Sequence, residues 1–325
     1  VILSMLNSKF RHIIIAVLLH PAFLALPIAG VIILLLPDMF KKYSASLVYE
    51  KVIADKGSMA YYDLNHDGYS EMLAAAPDDV GGSGIAVYSY GNAAQNHWIF
   101  DGSFFEKDPF CMIGDYDNNN RDEVYAFTLK HDSVLINAFD PGKYPVFIAY
   151  NRSIAKVKAY KGFYESKISP VAVTDLTGDS YKEVVFHLQT GWAGEPRRIY
   201  AYDVRHDSLF SSPELGVSGV VTDIEDIDSD GKMEFTFSNY ATWNIDDTCR
   251  PMHDHNAYVI VLDHNLQFLF PPIANPGQYN SVTNYFLLKD GQYSIVSFWT
   301  NLLNIAGRKP LKLFDTKGKL IKEEM

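Results

Sequence analysis

The feature that most constrains this chain is a nine-residue acidic loop, Asp63-Leu-Asn65-His-Asp67-Gly68-Tyr69-Ser-Glu71. Oxygen-bearing side chains stand at its first, third, fifth and ninth positions, and Gly68 takes the sixth, where a sharp turn calls for positive φ. A hard cation such as Ca²⁺ takes about six to eight oxygens from carboxylates, amides and backbone carbonyls. Asp63, Asn65, Asp67 and Glu71 facing inward, with the carbonyl of Tyr69, supply nearly that set. The EF-hand loop starts with the same alternation but closes on a later glutamate. Here the closing acid leads straight into an apolar run, so the loop joins two strands rather than two helices.

The loop recurs. Asp115, Asp117, Asn119, Arg121 and Glu123 hold the same five positions in a second copy, and Asp175, Thr177, Asp179, Tyr181 and Glu183 in a third. Asp226, Asp228, Asp230, Lys232 and Glu234 make the fourth. Position seven (Tyr69, Arg121, Tyr181, Lys232) contributes its carbonyl. The copies follow one another at about 50 to 60 residues, each between two short apolar runs such as Cys111-Met-Ile113 and Val124-Tyr-Ala-Phe127. One acidic loop reads as a solvated turn; four in register read as calcium sites. Copies one and four carry Gly68 and Gly231 at the turn and the fullest oxygen sets. Asn120 stands at the turn of copy two, the residue next best suited to left-handed geometry. Thr177 and Ser180 make the third site the weakest, and for it the turn-only reading stays open.

With Ala74-Ala-Ala-Pro77 after the first copy and Gly84-Ile-Ala-Val-Tyr88 beyond it, the chain resembles the FG-GAP (VCBS-type) repeat of integrin α-chain propellers and their bacterial relatives. The resemblance spans 57–320, and copies two to four lack the Gly-Ala-Pro element. It implies an all-β fold, a β-propeller of four-stranded blades with calcium in the hairpin between the first and second strands.

The strand signals agree with that order. Third strands are expected at Ile85–Tyr90, Val134–Phe139, Ile199–Tyr202 and Tyr258–Leu262. A fifth unit follows at Tyr293–Phe298 and Leu311–Phe314, with a turn into Lys319-Leu-Ile321, but its loop is reduced to Lys289-Asp290-Gly291 and no metal is expected there. Five visible blades favour a propeller, with a stacked solenoid as the alternative. Residues 47–53 read as a strand able to close the ring and cover an exposed edge.

Residues 13–37 contain no Asp, Glu, Lys or Arg, a length that at about 1.5 Å per residue crosses a bilayer core of about 30 Å. The division read from the sequence is a cytoplasmic tail at 1–12, a transmembrane anchor at 13–37, a connector at 38–56 and the propeller at 57–325. A buried core helix is the alternative for the apolar run. The propeller is placed outside the cytoplasm, where calcium is plentiful enough for loops of the weak extracellular kind. The formal net charge of −11 argues against nucleic acid, whose backbone needs clustered Lys and Arg. Two cysteines, Cys111 and Cys249, make no disulfide framework.

No nucleophile elbow, zincin helix or phosphate loop is present. The pattern left over is tryptophan: Trp192, Trp243 and Trp299 each stand nine residues after position nine of their unit, or after Asp290 in the fifth. All three are expected in the loop between second and third strands, on the rim opposite the calcium loops. They serve there either as flat aromatic faces for a protein or glycan ligand or as repeated structural plugs. Two classes of function result. The first is a membrane-anchored, calcium-binding ectodomain for recognition, since the later units look similar to ectodomains of bacterial membrane receptors, including sensor histidine kinases. The second is a calcium-dependent enzyme acting on polysaccharide, a lyase or hydrolase, with Glu195 and Asp246 or Asp247 as the acids near the rim.

Overall fold

Each acidic loop is the turn of a β-hairpin, because the runs flanking it are rich in β-branched and aromatic residues that fill both faces of a strand. The computed structural model describes His20, Ala25 and residues 58–77, 83–89, 95–105, 110–158, 166–191, 194–244, 252–303 and 309–324. The hairpins are β1 (Ser58–Tyr62) with β2 (Glu71–Pro77), β6 (Cys111–Gly114) with β7 (Glu123–Lys130), β10 (Ser166–Thr174) with β11 (Glu183–Thr190), and β14 (Ser218–Glu225) with β15 (Glu234–Tyr240). Each gains two further antiparallel strands: β3 (Ser83–Tyr88) and β4 (Gln95–Phe100), β8 (Ser133–Phe139) and β9 (Ala149–Lys156), β12 (Arg197–Asp203) and β13 (Ser208–Ser211), β16 (Asn256–Leu262) and β17 (Ile273–Pro276). The short β5 (Ser103–Phe104) also pairs with β7.

A fifth unit of β18 (Asn280–Lys289), β19 (Gln292–Asn301), β20 (Leu311–Phe314) and β21 (Leu320–Glu324) repeats the order. Its turn is only two residues long: Asp290 and Gly291 both take positive φ (51° and 76°) between the paired Lys289 and Gln292.

Neighbouring sheets pack face to face, and period-2 alternation decides which residue meets which neighbour. On β7, Val124 and Ala126 join Leu73, Ile85 and Trp98 of the first sheet. Tyr125 and Phe127 point the other way, to Ile168, Phe186 and Tyr200 of the third. Val185 then meets Phe235, Phe237 and Ile260, and Val259 and Val261 meet Val282, Ile295 and Phe314. Burial on both faces is why these strands read as unbroken apolar runs.

Four apolar layers thus join the five units in succession, and among the described residues no such layer joins the fifth unit to the first. The all-β class and the order of strands match the sequence reading; a closed ring is not displayed.

One boundary departs from separate blades. The β15–β16 ladder ends at Phe237↔Ile260, and beyond it β15 pairs with β18 through Asn239↔Val282 and Tyr240↔Ser281. The Asn239 side chain makes this possible. It donates to the Tyr258 carbonyl at 2.7 Å and accepts from the Tyr258 N–H at 2.8 Å, replacing the ladder bonds that β16 has left. The fourth and fifth units are therefore one sheet.

The apolar run at 13–37, apart from His20 and Ala25, lies outside the described residues, as do the strand at 47–53 and Cys249. Among the described residues no helix is long and apolar enough to cross a membrane.

The layer between the second and third sheets centres on Phe186, which is fully buried and lies 4.8 Å from the Phe127 ring and 5.5 Å from the Tyr200 ring. Phe186→Ala is expected to cost about 3–5 kcal/mol in denaturant unfolding; a loss below about 1 kcal/mol would mean that this layer does not hold the sheets together.

Candidate functional site

The four loops share one internal hydrogen-bond plan. The aspartate at position one accepts the N–H of position six on one oxygen: Asp63 from Gly68, Asp115 from Asn120, Asp175 from Ser180 and Asp226 from Gly231, at 2.8 to 2.9 Å. Its second oxygen takes the N–H of position five in three loops, from Asp67, Asn119 and Asp230. In the third loop Gly178, at position four, donates instead at 2.7 Å. Positive φ occurs at position six, as the turn demands, and also at position four: His66, Asn118, Gly178 and Ser229 have φ of 57°, 55°, 78° and 64°. Asn118 and Gly178 are residues suited to that conformation at position four.

Position two is an apolar anchor. Leu64, Leu176 and Ile227 are buried, and Tyr116 packs against the layer between the second and third sheets. Each anchor's N–H is taken by the glutamate at position nine: Leu64 by Glu71, Tyr116 by Glu123, Leu176 by Glu183 and Ile227 by Glu234, at 2.8 to 3.1 Å. These glutamates begin β2, β7, β11 and β15 and are at most 5% exposed.

Burying a carboxylate disfavours its charge. Burial, reinforced by Asp117 and Asp115 and opposed by the Tyr116 N–H, pushes Glu123 up to about 7. Burial does the same to Glu183 and Glu234, each to about 7, and raises Glu71.

Two loops gather three carboxylates at metal-holding separation: Asp115, Asp117 and Glu123, and Asp226, Asp228 and Glu234, have oxygens within 4.8 Å of one another. This changes the expected ranking of the sites. Copy two, not copy one, joins copy four, because both have aspartate at position three where copies one and three have Asn65 and Thr177. In the second loop Glu123 Oε1 and Asp117 Oδ1 are buried with no hydrogen-bond partner, although Glu123 is 0% exposed. A fully buried carboxylate oxygen without a donor, facing two aspartates, is the environment that a bound cation would satisfy.

The tryptophans divide. Trp192 lies outside the described residues. Trp299 is not in a loop but inside β19, opposite Val282; its Nε1 donates to Ser297 Oγ at 2.9 Å and Lys312 Nζ lies 3.5 Å from its ring centroid. It packs against the layer between the fourth and fifth units, which is a structural role.

Trp243 does lie in the loop after β15 and is 46% exposed. It adopts φ 58°, rare for a bulky residue. Its N–H donates to the Asp254 carbonyl, its Nε1 to the His255 carbonyl, and its ring stacks on the His255 ring at 4.7 Å. The side chain of Asp254, 0% exposed, accepts from Asn244 N–H at 2.9 Å and lies 3.7 Å from the guanidinium of the equally buried Arg197. This pair is not legible in the sequence, because its members stand far apart along the chain.

No protein-family model matches the chain, and no curated protein matches it. Among solved structures 8 chains match. One is the biofilm matrix protein Bap1 of V. cholerae, at 13% identity and TM-score 0.37, over 87% of this chain and 41% of that one. Another is an Agrocybe aegerita lectin described by its recognition of non-reducing terminal N-acetylglucosamine, at 12% identity and TM-score 0.38, over 84% of this chain and 66% of that one. This chain therefore spans about two fifths of the first protein and about two thirds of the second.

A raised carboxyl pKa means that the folded protein holds protons the unfolded chain has released, so metal-free stability falls as pH rises through the window from about 4.5 to about 7. Glu123→Gln keeps the shape and removes the charge. In chelator it should raise the melting midpoint at pH 8 and leave it nearly unchanged at pH 5, where Glu123 is already protonated; equal shifts at both pH values would show that Glu123 does not titrate in this window.

Proposed function

We propose that the chain is a calcium-stabilised recognition module of the FG-GAP type, a propeller carried outside the cytoplasm on the anchor at 13–37. The observation that carries the reading is the second loop. An all-oxygen set, with a buried and unpartnered Glu123 oxygen at its centre, suits a hard cation better than a soft one. Asp115, Asp117, Asn119 and Glu123 with the Arg121 carbonyl would hold it there. Asp226, Asp228, Asp230 and Glu234 with the Lys232 carbonyl would do so in the fourth loop. The bound ion would supply no chemistry beyond charge neutralisation and loop rigidity.

Ligand contact is assigned to the surface around Trp243. An aromatic face held in an unfavourable backbone conformation by the buried Arg197–Asp254 pair is the kind of strain that accompanies recognition sites. The flat ring and the adjoining imidazole suit the C–H face and hydroxyls of a sugar, or an apolar side chain of a protein.

Calcium in the millimolar range should raise the melting temperature over chelator, and magnesium should do so much less, because its stricter octahedral demand fits these loops poorly. The gain is about 2.7 kcal/mol per site at a hundredfold excess over Kd. Asp117→Ala and Asp228→Ala should remove more of it than Thr177→Ala. Identical melts in chelator, calcium and magnesium would reduce the loops to turns.

Trp243→Ala should change stability by less than about 1 kcal/mol, as exposed positions do, while lowering capture on an array of glycans and proteins. Unchanged capture on every arrayed ligand, or a large loss of stability, would return Trp243 to a structural role.

A further inference from the structure

The first three loops are joined to one another through the peptide groups that their closing glutamates hold. Glu71 Oε2 accepts the N–H of Leu64 at 2.9 Å, and the carbonyl of that residue accepts the N–H of Asp122, in the second loop, at 2.9 Å. Asp122 directly precedes Glu123, whose Oε2 accepts the N–H of Tyr116 at 3.1 Å. The Tyr116 carbonyl accepts the N–H of Lys182, in the third loop, at 2.9 Å. Lys182 directly precedes Glu183, which accepts the N–H of Leu176 at 2.8 Å. The result is a relay of alternating carboxylates and peptide groups across three sheets.

A second set of contacts runs beside it. His66, at position four of the first loop, places Nε2 3.4 Å from Asp122 Oδ2, and Asn118, at position four of the second, donates its amide to the Ser180 carbonyl of the third. The pattern stops there. Position four of the third loop is Gly178, with no side chain to reach the fourth loop, and among the described residues no main-chain bond of this kind joins Leu176 to the fourth loop.

We infer that the first, second and third loops take up cations as one positively cooperative array with the second loop as its hub, while the fourth binds independently. The inference rests on the cation reading of the loops. A cation at the second loop fixes Glu123 and, through it, the Tyr116 peptide and the segment carrying Asp122. Those are the groups that the first and third loops use as partners. A neighbour that binds afterwards orders fewer groups of its own, and ordering already done by one ligand lowers the cost to the next. Polarisation along a hydrogen-bonded chain acts in the same direction. The hub is the loop with the orphaned oxygens, so it has the most to gain from the first cation.

Hydrogen exchange read by mass spectrometry on the full chain, across a calcium series, reports each loop through peptides covering 63–71, 115–123, 175–183 and 226–234. The first three loops should gain protection together, at one midpoint and more steeply than a single-site curve, and the fourth at its own. Asp117→Asn weakens the hub alone, yet should raise the calcium midpoints of the first and third loops by about fivefold or more, the lower range of allosteric coupling, and leave the fourth unmoved. The double variant His66→Gly, Asn118→Gly touches no metal ligand and keeps the left-handed backbone accessible. It removes the side-chain contacts and leaves the main-chain relay, so it should draw the three midpoints partly apart. Midpoints of the first and third loops that stay put in both variants would overturn the array and leave independent sites. Absence of calcium-dependent protection at every loop would instead overturn the cation reading.

Discussion

The contact on which the rest of this structure depends is a buried carboxylate holding a peptide N–H seven residues before it. Glu71, Glu123, Glu183 and Glu234 each close a loop in this way at the first residue of a strand. The bond sets the register of the hairpin, because position two must sit beside position nine for it to form. With the register set, the apolar anchor at position two drops into the layer between sheets, and the alternation of the following strand decides which residues face each neighbour. A carboxylate is an expensive group to bury, and an uncompensated charge there costs several kcal/mol, about the size of a small domain's net stability. The fold places that cost at four equivalent points, all of them where further positive charge can offset it.

The two ends of each sheet differ in their loops. Loops between first and second strands are short, acidic and alike, and they are tied to one another along the first three units. Loops between second and third strands are unlike in length, from the tight turn between Lys130 and Ser133 to the long loop carrying Trp243, which is held by Arg197 and Asp254. That division sets four like loops at one end of the sheets against unequal loops at the other.

Strand order was legible in the sequence, with the expected third strands within two residues of the observed ones, because each unit repeats an apolar run, an acidic turn and a second apolar run. The positions of the four acidic loops were legible for the same reason. The ranking of the loops was not: glycine at position six drew attention, yet position three decides how many carboxylates converge, as Asp117 and Asp228 show. The place of Trp299 was misjudged because equal spacing from the turn was taken to mean equal loop position, while β19 is long enough to include it. Nothing in the sequence announces that Asn239 substitutes its side chain for a ladder bond, or that Arg197 and Asp254 meet, since both depend on pairs distant along the chain.

The pairing of β15 with β18 has a mechanical consequence. Units one to three meet their neighbours through side-chain layers and isolated main-chain bonds, such as those of Asp122 and Lys182, whereas units four and five share a ladder. Counted by ladders, the five units therefore form four blocks, and parting the last two units requires breaking main-chain bonds at Asn239 and Tyr240. Asn239 is the latch of that block. The fifth unit, which lacks the acidic loop of the other four, is thereby joined to its neighbour by a main-chain ladder.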